Sequence, residues 1–167
     1  MTRAWKQHMP WLINLYPPFL GAGIRVKRLQ PDWKALEAEM KLRFWNANYV
    51  GTHFGGSLYS MTDPFYMLML IENLGREYLV WDKSANIRFR KPGTGKVRAS
   101  FRLSDEEIEE IRKEVDSKGK CEPEFLVEVK DETGTVIAEV RKLLYVRKRS
   151  QQRSSPAEDA SAALIPS

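Results

Sequence analysis

The most apolar stretch of the chain runs from Gly56 to Gly75 and predicts a buried helix. Apolar side chains recur there at helical spacing, at Leu58, Met61, Phe65, Leu68, Met69 and Leu74. Most of the other face is also apolar, with Tyr66, Met67, Leu70 and Ile71. A helix that is apolar almost all round has protein on every side. We therefore expect one central helix over residues 57–74, kinked near Pro64 because proline has no N–H to donate.

One carboxylate, Asp63, interrupts this apolar stretch, and two interpretations of it stay open. In the first, Asp63 is the N-cap of a helix whose first residue is Pro64. In the second, the helix begins near Gly55 and Gly56, Pro64 bends it, and Asp63 faces a cleft as an acid or base. A carboxylate on a buried helix is costly unless it is hydrogen-bonded or used chemically.

Elsewhere the polar and apolar positions predict strands joined by short turns. Alternation with a period of two indicates strands at residues 24–29, 35–45, 78–81, 85–91, 96–103, 125–130 and 135–146. Residues 35–45 are also rich in helix formers, but their alternation has a strict period of two, so we predict a strand there. Ser104 and Glu107 fit a capping box that begins a surface helix at residues 105–116. The predicted architecture is α+β, one curved antiparallel sheet around one helix.

The two ends of the chain differ from this core in composition. Residues 10–16 predict a short helix that docks on its own domain, with a membrane surface or a ligand cleft as alternatives. Beyond Arg149, Ser, Gln, Ala and Pro dominate, so we expect residues 150–167 to form a disordered tail. The predicted organisation is a single domain over residues 1–149, with a helical extension over residues 1–22.

Charge and cysteine content narrow the classes of function without choosing one. The net charge of +5 permits phosphate-bearing ligands, nucleic acid or an anionic surface. Cys121 is the only cysteine, which excludes an internal disulfide and predicts a cytoplasmic location. The Cys and His positions do not have zinc spacing, so we expect no metal. No apolar run reaches the ~18 residues of a membrane span.

Three segments together resemble the hot-dog fold thioesterase superfamily. They are residues 48–63, the strand Asn-Ile-Arg-Phe-Arg-Lys-Pro at 86–92 with its following turn, and the closing hairpin. The most similar branch includes the phenylacetate-pathway acyl-CoA thioesterases and, within it, an uncharacterised subgroup. The resemblance covers residues 24–147. It implies a curved antiparallel sheet wrapped around one long central helix, and hydrolysis of an acyl-coenzyme A thioester.

Members of that branch carry an Asn, then His-Gly-Gly, then an acid at fixed spacing. This chain matches the Asn, both glycines and the acid, at Asn48, Gly55, Gly56 and Asp63. It departs from the pattern at Phe54, which replaces the histidine, and His53 lies one residue earlier. Some hot-dog enzymes also place a hydroxyl one turn after the acid, where this chain has Met67.

The resemblance implies a role for each matched residue. The N–H groups of Gly55 and Gly56, at a helix N-terminus, would stabilise a developing oxyanion. Asp63 would be the general base or nucleophile, acting across a dimer interface. Asn48 would orient the thioester or the attacking water, and His53 is a further candidate.

Further candidate contacts with the substrate flank these positions. Phe54 and Ser57 adjoin the glycines, and the basic residues that would meet coenzyme A phosphates at the cleft rim are Arg88, Arg90 and Lys91. Each assignment has a plain structural alternative. The glycines fit a tight turn, the asparagine a loop cap, the histidine an ordinary loop position, and the basic residues a solvated strand face.

Three functions therefore stay open. They are an acyl-CoA thioesterase, a non-catalytic acyl-thioester or lipid-binding protein of the same fold, and a partner of nucleic acid or a membrane surface. We expect no cofactor, since coenzyme A enters as part of the substrate. The family pairs an exposed strand edge in dimers, so we expect a homodimer or a dimer of dimers.

Overall fold

The computed structural model describes residues 12–149. Residues 12–14 are helical, within the helix predicted at 10–16, while its first residues and the predicted tail at 150–167 lie outside the described part. The helices are α1 (Pro17–Ala22), α2 (Gly55–Ser60), α3 (Phe65–Leu74) and α4 (Asp105–Lys118). The strands are β1 (Ile24–Leu29), β2 (Ala35–Lys41), β3 (Tyr78–Phe89), β4 (Lys96–Arg102), β5 (Lys120–Cys121), β6 (Glu124–Asp131) and β7 (Val136–Lys148).

The seven strands form one antiparallel sheet whose inner face packs on α3. The order is β1-β2-β4-β6-β7-β3, with the short β5 paired to β7 outside this path. From α3, Phe65 packs on Phe101 with ring centroids 4.9 Å apart, and Tyr66 stacks on Phe125 at 4.2 Å. The core is therefore the layer between the sheet and this apolar helix, as the α+β prediction requires.

The stretch predicted as one kinked helix is two helices, α2 and α3, separated by a turn at residues 61–64. Pro64 has no N–H to continue the helical hydrogen bonds. Within the turn, the amides of Thr62 and Asp63 donate to carbonyls three residues earlier, at 2.8 and 3.4 Å, the tighter 3₁₀ pattern. No side chain caps α3, so the N-cap interpretation of Asp63 is wrong. The helix start near Gly55 is confirmed.

The second strand is shorter than its alternation predicts. β2 ends at Lys41, whereas the prediction extends to Trp45. The buried Asn46 turns the chain there, because its side-chain amide donates to the carbonyls of Ala22 at 2.9 Å and Lys41 at 3.0 Å. Phe44, which continues the apolar phase of the alternation, is 91% exposed.

The strands predicted at residues 78–81 and 85–91 are one long strand, β3. Its register against β7 shifts between Asp82 and Ser84, so Lys83 forms a β-bulge. This extra residue breaks the alternation in the sequence, which is why the prediction divides the strand there. In the described sheet, β3 and β1 are the two edge strands.

The capping box at the start of α4 is present as predicted. The Ser104 side chain accepts from the Glu107 N–H at 3.1 Å, and the Glu107 carboxylate accepts from the Ser104 N–H at 2.8 Å.

Ser104→Ala removes this cap. We expect it to lower the free energy of unfolding by about 1 kcal/mol, the usual cost of a lost N-cap. Chemical denaturation measures the change. Ser117→Ala, in the last turn of the same helix, is the matched control and should change stability by less. Equal losses in both variants would contradict the assignment.

Candidate active site

A pocket beside the start of α2 brings together several of the predicted site residues. Its volume is about 630 Å³, within the ~300–1,000 Å³ usual for small-molecule sites. The loop before α2, α2 itself and the turn after β3 form its walls. The predicted residues that line it are Asn48, His53, Gly55, Arg90 and Lys91, and its apolar lining includes Leu58 and Phe89. We call it the α2 pocket.

Asn48 shapes the loop that forms one wall of the α2 pocket. Its side-chain oxygen accepts from the N–H groups of Val50 at 3.1 Å and Thr52 at 3.0 Å. Its amide donates to the Thr52 hydroxyl at 2.8 Å and to the His53 carbonyl at 3.3 Å. These bonds are those of the loop-capping alternative, and a role toward substrate stays a prediction.

His53 is a neutral, buried histidine with one unused nitrogen. Its side chain lies against the turn after β3, where Nε2 is 3.2 Å from the Gly95 carbonyl. Because a carbonyl only accepts, Nε2 carries the proton and Nδ1 is an acceptor. Nδ1 is buried and has no hydrogen-bond partner among the described residues. Burial lowers the pKa of His53, although the bond to Gly95 opposes this, so the acceptor form is favoured.

The first turn of α2 presents unused backbone donors. Within residues 12–149, no oxygen accepts from the N–H groups of Gly55 and Gly56. The positive end of the α2 dipole lies at the same place. Gly55 allows a close approach of the Phe89 ring, because a Cβ there would lie 2.9 Å from it. The close contact with Phe89 places the Gly55 backbone at the pocket wall.

Phe54 and Ser57 lie on the other side of the helix start. With Gly56 they line a second, open pocket of about 360 Å³ beside α1, not the α2 pocket. The ring of Phe54 covers Gly56, where a Cβ would lie 2.5 Å from it. The two glycines thus face two different pockets, and Phe54, in the place of the family's histidine, forms a wall of the second one.

The three predicted basic residues are not equivalent. Arg90 and Lys91 line the α2 pocket, and Arg90 donates to Glu139 at 2.6 Å. Arg88 is exposed on β3 and does not line this pocket. Arg90 and Lys91 are therefore the ones that could meet an anion at its mouth.

Asp63 does not line the α2 pocket of its own chain. It lies in the turn between α2 and α3, with its side chain 45% exposed. Its Oδ1 accepts a hydrogen bond at 2.7 Å from the ammonium of Lys142 on β7. Asp82 on β3 also approaches this ammonium, with its Oδ1 3.0 Å from Nζ. Within one chain, the backbone donor of Gly55 in the α2 pocket and the carboxylate of Asp63 therefore lie at separate places.

Lys142 and Asp82 are not among the predicted site residues. A signal for Lys142 exists, because it falls in the apolar phase of β7, between Val140 and Leu144. A lysine in that phase of a central strand points at the core and needs a partner. Asp82 carries the same signal, since it lies in phase with Tyr78 and Val80, before the bulge at Lys83.

The fold defines a hot-dog protein, a class that includes thioesterases. The chain belongs to the family described as a domain of unknown function, DUF4442, whose model matches residues 6–146. A search of curated proteins finds no match.

Solved structures with the same fold have low sequence identity to this chain. A Pseudomonas aeruginosa protein of unknown function, described as a probable thioesterase, has a TM-score of 0.74 and 24% identity, covering 89% of this chain and 97% of its own. A thioesterase from Haemophilus influenzae has a TM-score of 0.63 and 15% identity, and the match covers 89% of this chain and 94% of the other. The Escherichia coli PaaI protein from the phenylacetic acid degradation operon has a TM-score of 0.59 and 14% identity, with the same coverage of 89% and 94%. At these identities they establish the fold, and the predicted resemblance is confirmed.

Between residues 12 and 149, no group of three or more His, Cys, Asp or Glu side chains is arranged to hold a metal ion. No helix in the same range is long and apolar enough to cross a membrane.

The buried state of His53 predicts how stability depends on pH. Its pKa is lower in the folded protein than the ~6.5 of an unfolded chain. The unfolded state therefore binds the proton first, and the contribution of His53 to stability is lost as the pH falls below about 6.5. His53→Gln keeps a donor for Gly95 but does not titrate. Denaturant unfolding at pH 7.5 and 5.5 should show a larger loss for the wild type than for His53→Gln, and equal losses would contradict this.

Proposed function

We propose that this protein is an acyl-CoA thioesterase that hydrolyses an acyl-coenzyme A thioester. The observation that supports it best is the α2 pocket, whose lining combines Gly55, with its unused N–H, and the basic Arg90 and Lys91. Backbone donors at a helix start suit the oxyanion of acyl transfer. The basic side chains suit the phosphates of coenzyme A.

The proposed reaction uses one acid and one backbone donor. Asp63 takes a proton from water, and the water oxygen attacks the thioester carbon. The resulting oxyanion accepts a hydrogen bond from the N–H group of Gly55, the glycine that lines the α2 pocket. The C–S bond then breaks, and the leaving thiolate takes the proton back from Asp63, which releases the carboxylic acid and coenzyme A.

The acid must come from a second copy of the chain, because Asp63 lies outside the α2 pocket of its own chain. In the described sheet, β3 pairs with β7 on one side only. The cluster of Asp63 with Asp82 lies toward the start of β3, and Phe89 of the α2 pocket is its last residue. Antiparallel pairing of β3 with its own copy, centred at Ala85 or Asn86, places each cluster near the partner's pocket.

One observation favours a second candidate, a non-catalytic acyl-thioester or lipid-binding protein. Phe54 stands where the family has histidine, and its half-exposed ring covers Gly56. An apolar ring there suits binding of an acyl group and supplies no proton. Turnover of a panel of acyl-CoA esters of different chain length separates the two candidates, since a binding protein would retain the ester intact.

Asp63→Asn tests the acid. The amide is nearly isosteric and can still accept from Lys142, so the fold and KM should change little. kcat should fall by about 10²–10⁴, the usual contribution of general acid–base catalysis. Asp116→Asn is the matched control, since Asp116 is an aspartate in an exposed ion pair with Lys148. Assignment of Asp63 as the base is wrong if its variant is as fast as the wild type.

Cysteine cross-linking tests the pairing of β3. Ala85 and Asn86 are exposed in the single chain. On a two-fold axis their Cα atoms would be about 4.5–5.5 Å apart, within the ~4.4–6.8 Å of a disulfide. We expect a covalent dimer on oxidation of Ala85→Cys or Asn86→Cys.

The native cysteine and a control position make the cross-linking result specific to β3. Burial, helped by the bond to Glu114, raises the pKa of the single native Cys121 to about 12, so it should not react. Arg25→Cys, on the opposite edge strand β1, is the matched control. After oxidation it should run as a monomer in denaturing electrophoresis without a reducing agent. Cross-linking through Arg25→Cys alone, or a monomer by light scattering at micromolar concentration, would contradict the pairing.

A further inference from the structure

Lys142 carries a charge into the centre of the protein. It lies on the inner face of β7 between Val140 and Leu144, and all three are 0% exposed. Among residues 12–149 it is the only Asp, Glu, Lys or Arg that is buried. An ammonium at such a depth is strongly disfavoured unless it is paired, and an apolar side chain of similar size would avoid the cost of desolvation.

Two carboxylates meet this ammonium, and they differ in geometry. Asp63 Oδ1 accepts a hydrogen bond from Nζ at 2.7 Å. Asp82 Oδ1 is 3.0 Å from Nζ but accepts no well-directed hydrogen bond, and it is buried. Burial by itself lowers the pKa of Lys142, but the hydrogen bond to Asp63 and the close negative charges of Asp63 and Asp82 outweigh it, so the pKa is raised. Lys142 therefore stays charged and directs its hydrogen bond to Asp63.

The backbone is arranged to keep the second carboxylate near Lys142. The bulge at Lys83 lies directly after Asp82, and Ala85 is the residue of β3 that pairs with Lys142. Bulges of this kind change the direction of a side chain, often next to active sites. Asp82 itself precedes the bulge and lies on the inner face, in the same phase as the buried Tyr78 and Val80 and opposite Leu144.

We propose that Lys142 is a positioning residue that fixes the Asp63 carboxylate for attack on the thioester, which rests on the thioesterase function proposed above. The ammonium holds one oxygen of Asp63 from inside the protein. The Asp63 side chain is still 45% exposed, and the Tyr59 hydroxyl is a second neighbour of its carboxylate. A base held in this way has lost the freedom to rotate away from the attacking water.

Asp82 explains how Asp63 can be held by an ammonium and still act as a base. A lone Lys–Asp pair has no net charge, and the ammonium would draw electron density from the carboxylate. Asp82 shares the same ammonium, at 3.0 Å against 2.7 Å for Asp63. With two carboxylates around one ammonium, the cluster keeps a negative charge on its exposed member.

The deciding experiment compares Lys142→Met with Lys142→Met/Asp82→Asn. The single variant leaves the partly buried Asp82 without a cation, so it should be less stable as well as slow. The double variant removes the buried ammonium together with the charge of Asp82 and should recover most of the lost melting temperature. If Lys142 positions Asp63, kcat of the double variant should still be about 100-fold below wild type, with KM within about twofold, because the substrate contacts lie elsewhere.

The controls separate positioning from stability. Lys148→Met, the same change in an exposed ion pair on β7, should keep wild-type kcat. In an Asp63→Asn background, adding Lys142→Met/Asp82→Asn should not lower kcat further, because Lys142 acts on the reaction only through the Asp63 carboxylate. A double variant with recovered stability and wild-type kcat overturns the proposal, as does an additive loss in the Asp63→Asn background.

A spectroscopic measurement makes the proposal independent of turnover. Nitrogen-15 NMR of the full chain should show a Lys142 ammonium whose protons exchange slowly, with a scalar coupling across the hydrogen bond to the Asp63 carboxyl carbon. Loss of that coupling in Asp63→Ala, which has no side-chain oxygen to accept from Lys142, assigns it. Absence of the coupling in the wild type overturns the positioning role. Its presence in a protein that hydrolyses no acyl-CoA ester supports positioning and refutes the proposed thioesterase function alone.

Discussion

The ion cluster of Lys142, Asp63 and Asp82 is the polar interaction that connects the helical layer to the sheet. Apolar contacts such as Phe65 on Phe101 hold α3 against the sheet, but they are not directional. The hydrogen bond from Lys142 to Asp63 is directional and connects the turn at residues 61–64 with β7. The ion pair of Lys142 with Asp82 adds β3 to this connection, at the residue before the bulge. Removing the ammonium would leave both carboxylates without their common partner.

The α2 pocket depends on a second constraint, the close packing at the start of α2. Phe89 lies against Gly55 and Phe54 lies against Gly56, so a side chain at either glycine would displace a ring. The loop before the helix is held by the hydrogen bonds of Asn48 and His53 rather than by apolar contacts. The Gly55 N–H, which stays unused where this loop ends, is available to a ligand in the α2 pocket.

In the proposed hydrolysis of a thioester, these two places would supply different parts of the chemistry. The α2 pocket would offer the Gly55 N–H to an oxyanion and basic groups to phosphates, while the Lys142 cluster would offer the carboxylate of Asp63. The edge strand β3 runs between them, from the cluster to Phe89. A sheet edge needs a cover, and a second copy of β3 would provide it and bring the two places together. The solved structures with this fold establish the arrangement of strands and helices.

The sequence by itself determined the parts that depend on local pattern. Alternation located most strands, the capping box located α4, and the Asn, Gly-Gly and acid spacing located the start of α2 and Asp63. Local pattern failed where a distant residue decides the outcome. Asn46 ends β2 because its amide reaches Ala22 and Lys41, and Lys83 bulges where Asp82 faces Lys142. The interpretation of Asp63 as a helix cap failed for the same reason, since its partner lies on β7, far along the chain. Periodicity records which face of an element is apolar, whereas the pairing of a buried charge is set only when the elements pack.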